Sequence, residues 1–491
     1  MRHVRLIGLT LALLLVAGAC GQKEGVALSA GGGGVATGDP GAVTDPVAEV
    51  APGEEVPLEE EAVTDPAATD PAAGGTAGAA PAPGAAAKPA AGTATRPGTA
   101  AGATAPAGGT APSGGGTATA SAPAAGPNDK NGVTDKEIVI GIHAPVTGAA
   151  PFPQATFDEG KEVFWKAKGA INGRTVRVEF FDDQFNPSRA VQVCRELVES
   201  KKVFLLIGGG GADQITACAK YANQVGVPYL SAGVNQSGLE ALKTYFALSL
   251  TYSQQSPILA QLVKKKLGKT KVGILVADTP SFSDAQASFT KAATDQGLEI
   301  VYNEKINKNA SQSETLTAAQ GLQSKGAEAV YVLTAPTVFL QLAQQATGQG
   351  YNPQYVGPGI TSGLNTVASV GCPGIGEARF LSPFPQLDDP TAVEYQAAYN
   401  NQNKKNGDDI GFALWGLSSI LAEMFKASGQ DLGRAKFIGT LQSGQAFGGG
   451  VYPEAKYSPG KPFGGSAMHL LKADCAGGRK YVTEAKNVTG F

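Results

Sequence analysis

Histidine is scarce in this 491-residue chain. There are three, and only His143 and His469 lie beyond residue 130. Those two are far apart in sequence, so a histidine relay or a histidine-rich metal site has little to be built from. Nor does the chain carry a Gly-x-Ser-x-Gly elbow, a His-Glu-x-x-His pair or a nucleotide-binding fingerprint. An enzyme working through carboxylates is left open, but no spaced pair of acids stands out. Charge of one sign is lacking as well. Lys plus Arg number 39 and Asp plus Glu 42, of which 6 and 12 fall within the first 130 residues, leaving 33 against 30. So balanced a chain, with no basic stripe, does not suggest a nucleic-acid partner. After the N-terminus no apolar run is long enough to suggest a membrane span. No two of the five cysteines form a Cys-x-x-Cys pair, which removes the commonest zinc and redox motifs. Nothing implies a cofactor or a metal.

What is present begins with Arg2 and Arg5, the apolar run Leu6 to Val16, and small residues up to Cys20. This is the pattern of a secretory signal peptide, and its apolar part is too short to remain as a spanning helix. The run Val16-Ala17-Gly18-Ala19-Cys20 resembles the bacterial lipobox, in which the cysteine thiol is acylated and becomes the new N-terminus. The expectation is a signal peptide over 1–19, lipidation of Cys20, and an extracytoplasmic chain held at the cell membrane by its lipid. An ordinary signal peptide with an incidental cysteine is the alternative. From 20 to 130 the chain is almost wholly Ala, Gly, Pro, Thr and Ser, with ten acids between Asp39 and Asp70 and Thr-Asp-Pro recurring at Thr44, Thr64 and Thr69. Such a segment buries too little apolar surface to offset its ordering entropy. It reads as a disordered tether with a mean reach of roughly 60 Å.

Residues 131–491 are too many for one ordinary core. Apolar strands alternate with amphipathic helices: Ile138 to Ile142, a helical stretch Phe157 to Lys168, Val176 to Phe181, helix Ala190 to Glu199, Val203 to Ile207, helix Ile215 to Gln224, and Val227 to Leu230 to close the first set. A second series follows a helix at Pro257 to Leu267, with strands near Val272 to Val276, Ile300 to Lys305, Val330 to Leu333 and Tyr355 to Val356. Helices Ala285 to Gln296, Thr315 to Lys325 and Val338 to Gln349 lie between them. That rhythm implies α/β architecture, with two doubly wound parallel-sheet lobes. One is expected over about 136–250 and the other over about 251–374, with 375–491 shared between them. Helices Ala392 to Lys404 and Ile410 to Lys426 would return the chain to one lobe, and a hairpin, Met468 to Lys472 with Arg479 to Thr483, would end it. Several crossings would form a multi-strand hinge.

Ligands of open α/β sheets sit beyond the carboxyl ends of the strands. That rule selects three loops: His143 to Gly148, which includes Thr147; Gly208-Gly209-Gly210-Gly211-Ala212-Asp213; and Ser231-Ala232-Gly233-Val234-Asn235. The glycine run opens a helix, whose free amides and dipole favour a small anion. It lacks the Gly-Lys-Ser/Thr ending of a phosphate loop. Asp213 could instead serve only as a helix cap, and His143 could touch ligand or simply be a hydrogen-bonded loop residue.

Ile140-Gly141 through Pro145-Val146-Thr147-Gly148, then Leu206-Ile207-Gly208, and then Gly226-Val227-Pro228-Tyr229-Leu230-Ser231 resemble the branched-chain amino-acid-type binding proteins that feed ABC importers. Ala277-Asp278 before Phe282, and Gly357-Pro358 after a strand, extend the resemblance over most of 136–470. It implies the periplasmic-binding-protein type 1 fold, a small-molecule ligand between the lobes and an ABC permease as partner. It also implies contacts from Ala212, Asp213, Gly233 and Asn235 in the first lobe, Phe282 against the ligand, and Thr334 and Ala335 facing the cleft. Three departures stand out, the first being Asn235 where a hydroxyl is usual. Ala212 lacks a hydroxyl, and Gly359, directly after Gly357-Pro358, offers no acid where amino-acid binders place one against the ammonium group. A buried ammonium without a partner is costly, so the expected ligand is a small polar or anionic solute such as a carboxylate or amide and not a standard α-amino acid, the alternative being that Asp213 takes over the ammonium. A bridge often seen in the family implies Cys194 with Cys218; Cys372 with Cys475, tying the region after Gly371 to the last hairpin, is the expected second pair, and sequence alone does not choose among the three connectivities that four cysteines allow. The alternative is a sensor of the same fold acting with a signalling partner; a hydrolase is the remaining one.

Overall fold

The computed structural model describes residues 126–232 and 238–491. The signal peptide, Cys20, nearly all of the expected tether, and Gly233 and Asn235 lie outside the described residues. The first lobe carries a five-stranded sheet of order β2-β1-β3-β4-β5, parallel throughout. Its strands are β1 (Glu137–Ala144), β2 (Thr175–Asp182), β3 (Leu205–Gly208), β4 (Tyr229–Ser231) and β5 (Tyr245–Ala247), with helices α1 (Val163–Lys168), α2 (Pro187–Glu199) and α3 (Ala212–Gln224). The fifth strand was not expected. Asn186 accepts hydrogen bonds from the amides of Ser188 and Arg189 and Pro187 opens the helix, so α2 begins three residues earlier than its apolar periodicity suggested.

The second lobe holds a seven-stranded sheet of order β14-β13-β10-β9-β8-β6-β7. Its elements are α4 (Tyr252–Gln261), β6 (Lys271–Ala277), α5 (Ser283–Asp295), β7 (Glu299–Ile306), α6 (Gln312–Ser324), β8 (Ala329–Leu333), α7 (Pro336–Gly348), β9 (Gln354–Pro358), α8 (Asn365–Gly371) and β10 (Arg379–Ser382). Every residue of β8 is buried, as expected of a strand covered on both faces. After α9 (Ala392–Asn403), α10 (Asp409–Ser428), α11 (Arg434–Leu441), β11 (Ala446–Phe447) and β12 (Ala455–Lys456), the hairpin β13 (Met468–Asp474) and β14 (Lys480–Val488) adds antiparallel to β10. The second sheet is therefore parallel with an antiparallel edge.

Helices α9 and α10 pack against α1, which places them with the first lobe. Among the described residues the chain thus crosses between lobes after β5, after β10 and before β13. Two crossings are stitched together, since the Ala247 amide donates to the Pro462 carbonyl at 2.9 Å and the Gly464 amide to the Ala247 carbonyl at 3.0 Å. The buried carboxylate of Asp409 adds a clip: it accepts the Asn365 amide of α8 at 2.7 Å and Gln386 Nε2 at 3.3 Å. Helix α10 is long and apolar enough to cross a membrane, yet most of it is buried in the fold, which makes it a core helix. Both expected disulfides are present: Cys194–Cys218 joins α2 to α3, and Cys372–Cys475 joins the end of α8 to the turn of the final hairpin.

Candidate functional site

Glycine is required where β3 meets α3. A Cβ on Gly208 would lie 1.6 Å from the Tyr229 hydroxyl, and one on Gly210 would lie 2.8 Å from Phe152. Without side chains the loop brings its backbone to the interlobe cleft. Helix α3 then starts at Gly211 with no side-chain cap, so its first amides and its positive dipole end face the cleft mouth. From the other lobe come Tyr252 at the start of α4, Thr279, Phe282, Lys308, Thr334, Ala335, Pro358, Ile360 and Thr361. Tyr252 and Phe282 meet edge to face, with centroids 5.7 Å apart at 77°. The two lobes also touch directly. Ser281 donates to Asp213 Oδ1 at 2.7 Å, and the Thr337 hydroxyl to the Ala149 carbonyl at 2.9 Å.

Among the described residues only two charged side chains line the cleft, Asp213 and Lys308. Asp213 is engaged by Ser281, whereas no hydrogen bond or ion pair is found for Lys308 among the described residues. Thr279 is 6% exposed and its hydroxyl has no hydrogen-bond partner among them. The arrangement therefore offers a half-exposed cation, a buried free hydroxyl and an uncapped helix end in one space.

The expected residues divide. Ala212, Asp213, Phe282, Thr334 and Ala335 line the cleft. Thr147 does not; its hydroxyl donates to Asp182 Oδ2, at the end of β2, at 2.6 Å. Ser231 is fully buried at the end of β4, behind the lining. Gly359 lies in packed backbone: its amide donates to the Leu381 carbonyl at 2.6 Å, and a Cβ there would fall 2.5 Å from that of Phe380. A side chain at 359 would point into the sheet, and its neighbours Ile360 and Thr361 face the cleft instead. His143 belongs to β1 and is fully buried, with Nδ1 2.8 Å from Asp183 Oδ2 and Nε2 2.6 Å from the Tyr229 hydroxyl. It also lies close to Cys194 and Cys218, but both sulfurs are committed to a disulfide and leave no thiolates for a metal. Sequence reasoning missed Tyr252, Thr279 and Lys308. Lys308 follows β7 by two residues, so the strand-end rule would have reached it had that edge strand been inspected.

The profile of the periplasmic binding protein family matches residues 137–479. The chain belongs to that family. Its fold is that of ABC-transporter substrate-binding proteins, and periplasmic binding proteins are extracytoplasmic solute binders rather than enzymes. An "Amino acid binding protein" of Pseudomonas aeruginosa is 23% identical over 250 residues, which is 47% of this chain and 63% of that one, so the match falls short of two thirds of the relative's length. A Rhodopseudomonas palustris solute-binding protein of an ABC transporter, solved with 3,4-dihydroxybenzoic acid, superposes with TM-score 0.61 at 19% identity, covering 71% of this chain and 96% of that one. A fatty acid ABC transporter substrate-binding protein from Thermomonospora curvata gives TM-score 0.62 at 19% identity over 75% and 97%. In this periplasmic binding protein the cleft between the lobes is the place to look for solute.

Proposed function

We propose that this periplasmic binding protein is lipid-anchored through Cys20, captures a small carboxylate in the interlobe cleft and hands it to an ABC importer. The observation that carries the reading is Lys308, which faces the uncapped start of α3 across the cleft without a partner among the described residues. A carboxylate placed there accepts from the ammonium and from the α3 amides, while Thr279 donates to it or to a neighbouring acceptor. An α-amino acid fits less well, because the one acid in the lining already accepts from Ser281. Relatives bearing amino-acid, dihydroxybenzoate and fatty-acid names all handle carboxylates, which is consistent with the head group and leaves the body open.

Carboxylates and amides are expected to raise the melting temperature in a thermal-shift screen, as any ligand selective for the folded form does. Removing a charge-assisted hydrogen bond costs about 1.5–3 kcal/mol, so Lys308→Met should weaken carboxylate binding by roughly 10- to 100-fold. Micromolar binding of leucine, isoleucine or valine, unaffected by Lys308→Met, would overturn the reading. Because both lobes supply the lining, ligand should also shift the population toward the closed form. Small-angle scattering should then show a smaller radius of gyration at saturating ligand, and an unchanged radius would count against closure. Fractionation tests the anchor: Cys20→Ala should move the protein from the membrane to the soluble fraction.

A further inference from the structure

A second cavity adjoins the cleft at the glycine loop. Gly209 and Ile360, which line the cleft, also line this cavity, walled by Ile142, Phe152, Phe157, Phe384, Leu414 and Leu417. Among the described side chains around this chamber only His143 and Tyr452 carry polar atoms, and both His143 nitrogens are already taken by Asp183 and Tyr229. Water entering such a space gives up hydrogen bonds that the walls do not replace, so hydrocarbon is the favoured occupant. Position 209 lies on the wall the two spaces share and has no side chain; a Cβ there would come within 3.0 Å of His143. An anion-attracting cleft and an apolar chamber thus adjoin at Gly209 and Ile360.

We infer that the solute is a monocarboxylate with an extended hydrocarbon tail. Its head lies between Lys308 and the start of α3, and its tail passes Gly209 and Ile360 into the chamber. The inference rests on the carboxylate reading above and adds the length and character of the body. A compact polar acid uses the cleft alone, whereas a straight-chain acid of several carbons fills both spaces. The chamber wall contributed by α10 includes Ala413 and Leu414, both half-buried, so their side chains set how far a tail reaches.

The test is a calorimetric series of saturated acids from butanoate to decanoate, kept below their micelle concentrations. Each methylene buried is worth about 0.8 kcal/mol, so affinity should rise about fourfold per carbon until the chamber is full. Ala413→Phe should abolish that dependence while leaving butanoate affinity unchanged, and Leu414→Ala should move the plateau to longer acids. An unchanged melting temperature without ligand certifies that each variant is folded; should Ala413→Phe fail that check, Leu414→Ala carries the test. Affinity independent of chain length, or a slope unaltered in the folded variants, overturns the tail. If butanoate binds through Lys308 but longer acids gain nothing, the tail fails and the carboxylate reading stands. If no acid in the series binds, both fall.

Discussion

Removing the Cys372–Cys475 bridge with paired alanines should lower the unfolding free energy by about 4–5 kcal/mol, which is a large share of the stability of an ordinary domain. The expectation comes from the length of chain it closes. The cysteines are 103 residues apart, and the intervening chain leaves the second lobe after β10, builds α9, α10 and α11 against the first lobe, and returns through β13. In the unfolded ensemble the bridge restrains that whole excursion, whereas Cys194–Cys218 closes only 24 residues and restrains about 3.5 kcal/mol by the same loop-entropy relation. The shorter bridge has a second contribution, since both of its sulfurs are fully buried and alanine leaves unfilled space. Guanidinium unfolding of the two double variants measures the losses. A loss below 1 kcal/mol for Cys372→Ala/Cys475→Ala would sink the argument from loop length.

The parts of the fold that could be read from residues alone are those whose burial dictates composition. Strands β6 and β8 are covered on both faces and so spell out Val-Gly-Ile-Leu-Val and Ala-Val-Tyr-Val-Leu. Strands β5 and β10 could not be read that way. Tyr245-Phe246-Ala247 and Arg379-Phe380-Leu381-Ser382 are too short to show a period, and they are strands because β4 and β9 pair with them. Arg379 is apt for an exposed loop in sequence, yet it is buried against Glu484, which accepts from its Nε at 2.8 Å and from Nη2 at 3.2 Å. The site divides the same way. Loops that follow central strands led to Ala212 and Asp213, because the glycine run and the strand ends are local signals, while Phe282, Thr334 and Ala335 came from the family resemblance. Tyr252 follows a lobe crossing rather than a strand, and Lys308 follows an edge strand. The direction a side chain takes at 359 depends on β10 packing beside it, which no local pattern records.

Substituting Asp409 and His469 one at a time should give opposite changes in the dependence of stability on pH. Burial, reinforced by the nearby charge of Asp408 and opposed by the Asn365 amide, raises Asp409 from 3.8 to about 6. Folding therefore takes up a proton at this site between pH 4 and 6. The stabilising contribution is complete below the unfolded value and is lost as pH rises through 6, by roughly 3 kcal/mol. Burial, reinforced by the charge of Lys486, lowers His469 from 6.5 to about 4. Here the unfolded chain takes up the proton, so the contribution is complete above pH 6.5 and is lost as pH falls through 4, again by roughly 3 kcal/mol. Across the shared window the two nearly cancel in the wild-type protein. Asp409→Asn leaves the histidine unopposed and should lose about 3 kcal/mol more than wild type on going from pH 6.5 to 4, whereas His469→Gln should lose that much less. Taking differences from wild type removes the contribution of surface carboxylates such as Glu328, which both variants retain. Denaturant unfolding at pH 4, 5, 6 and 7 reads the two differences directly. Parallel profiles for wild type and either variant would show that the group does not change its proton affinity on folding, and the interlobe clip at Asp409 would then be insensitive to pH.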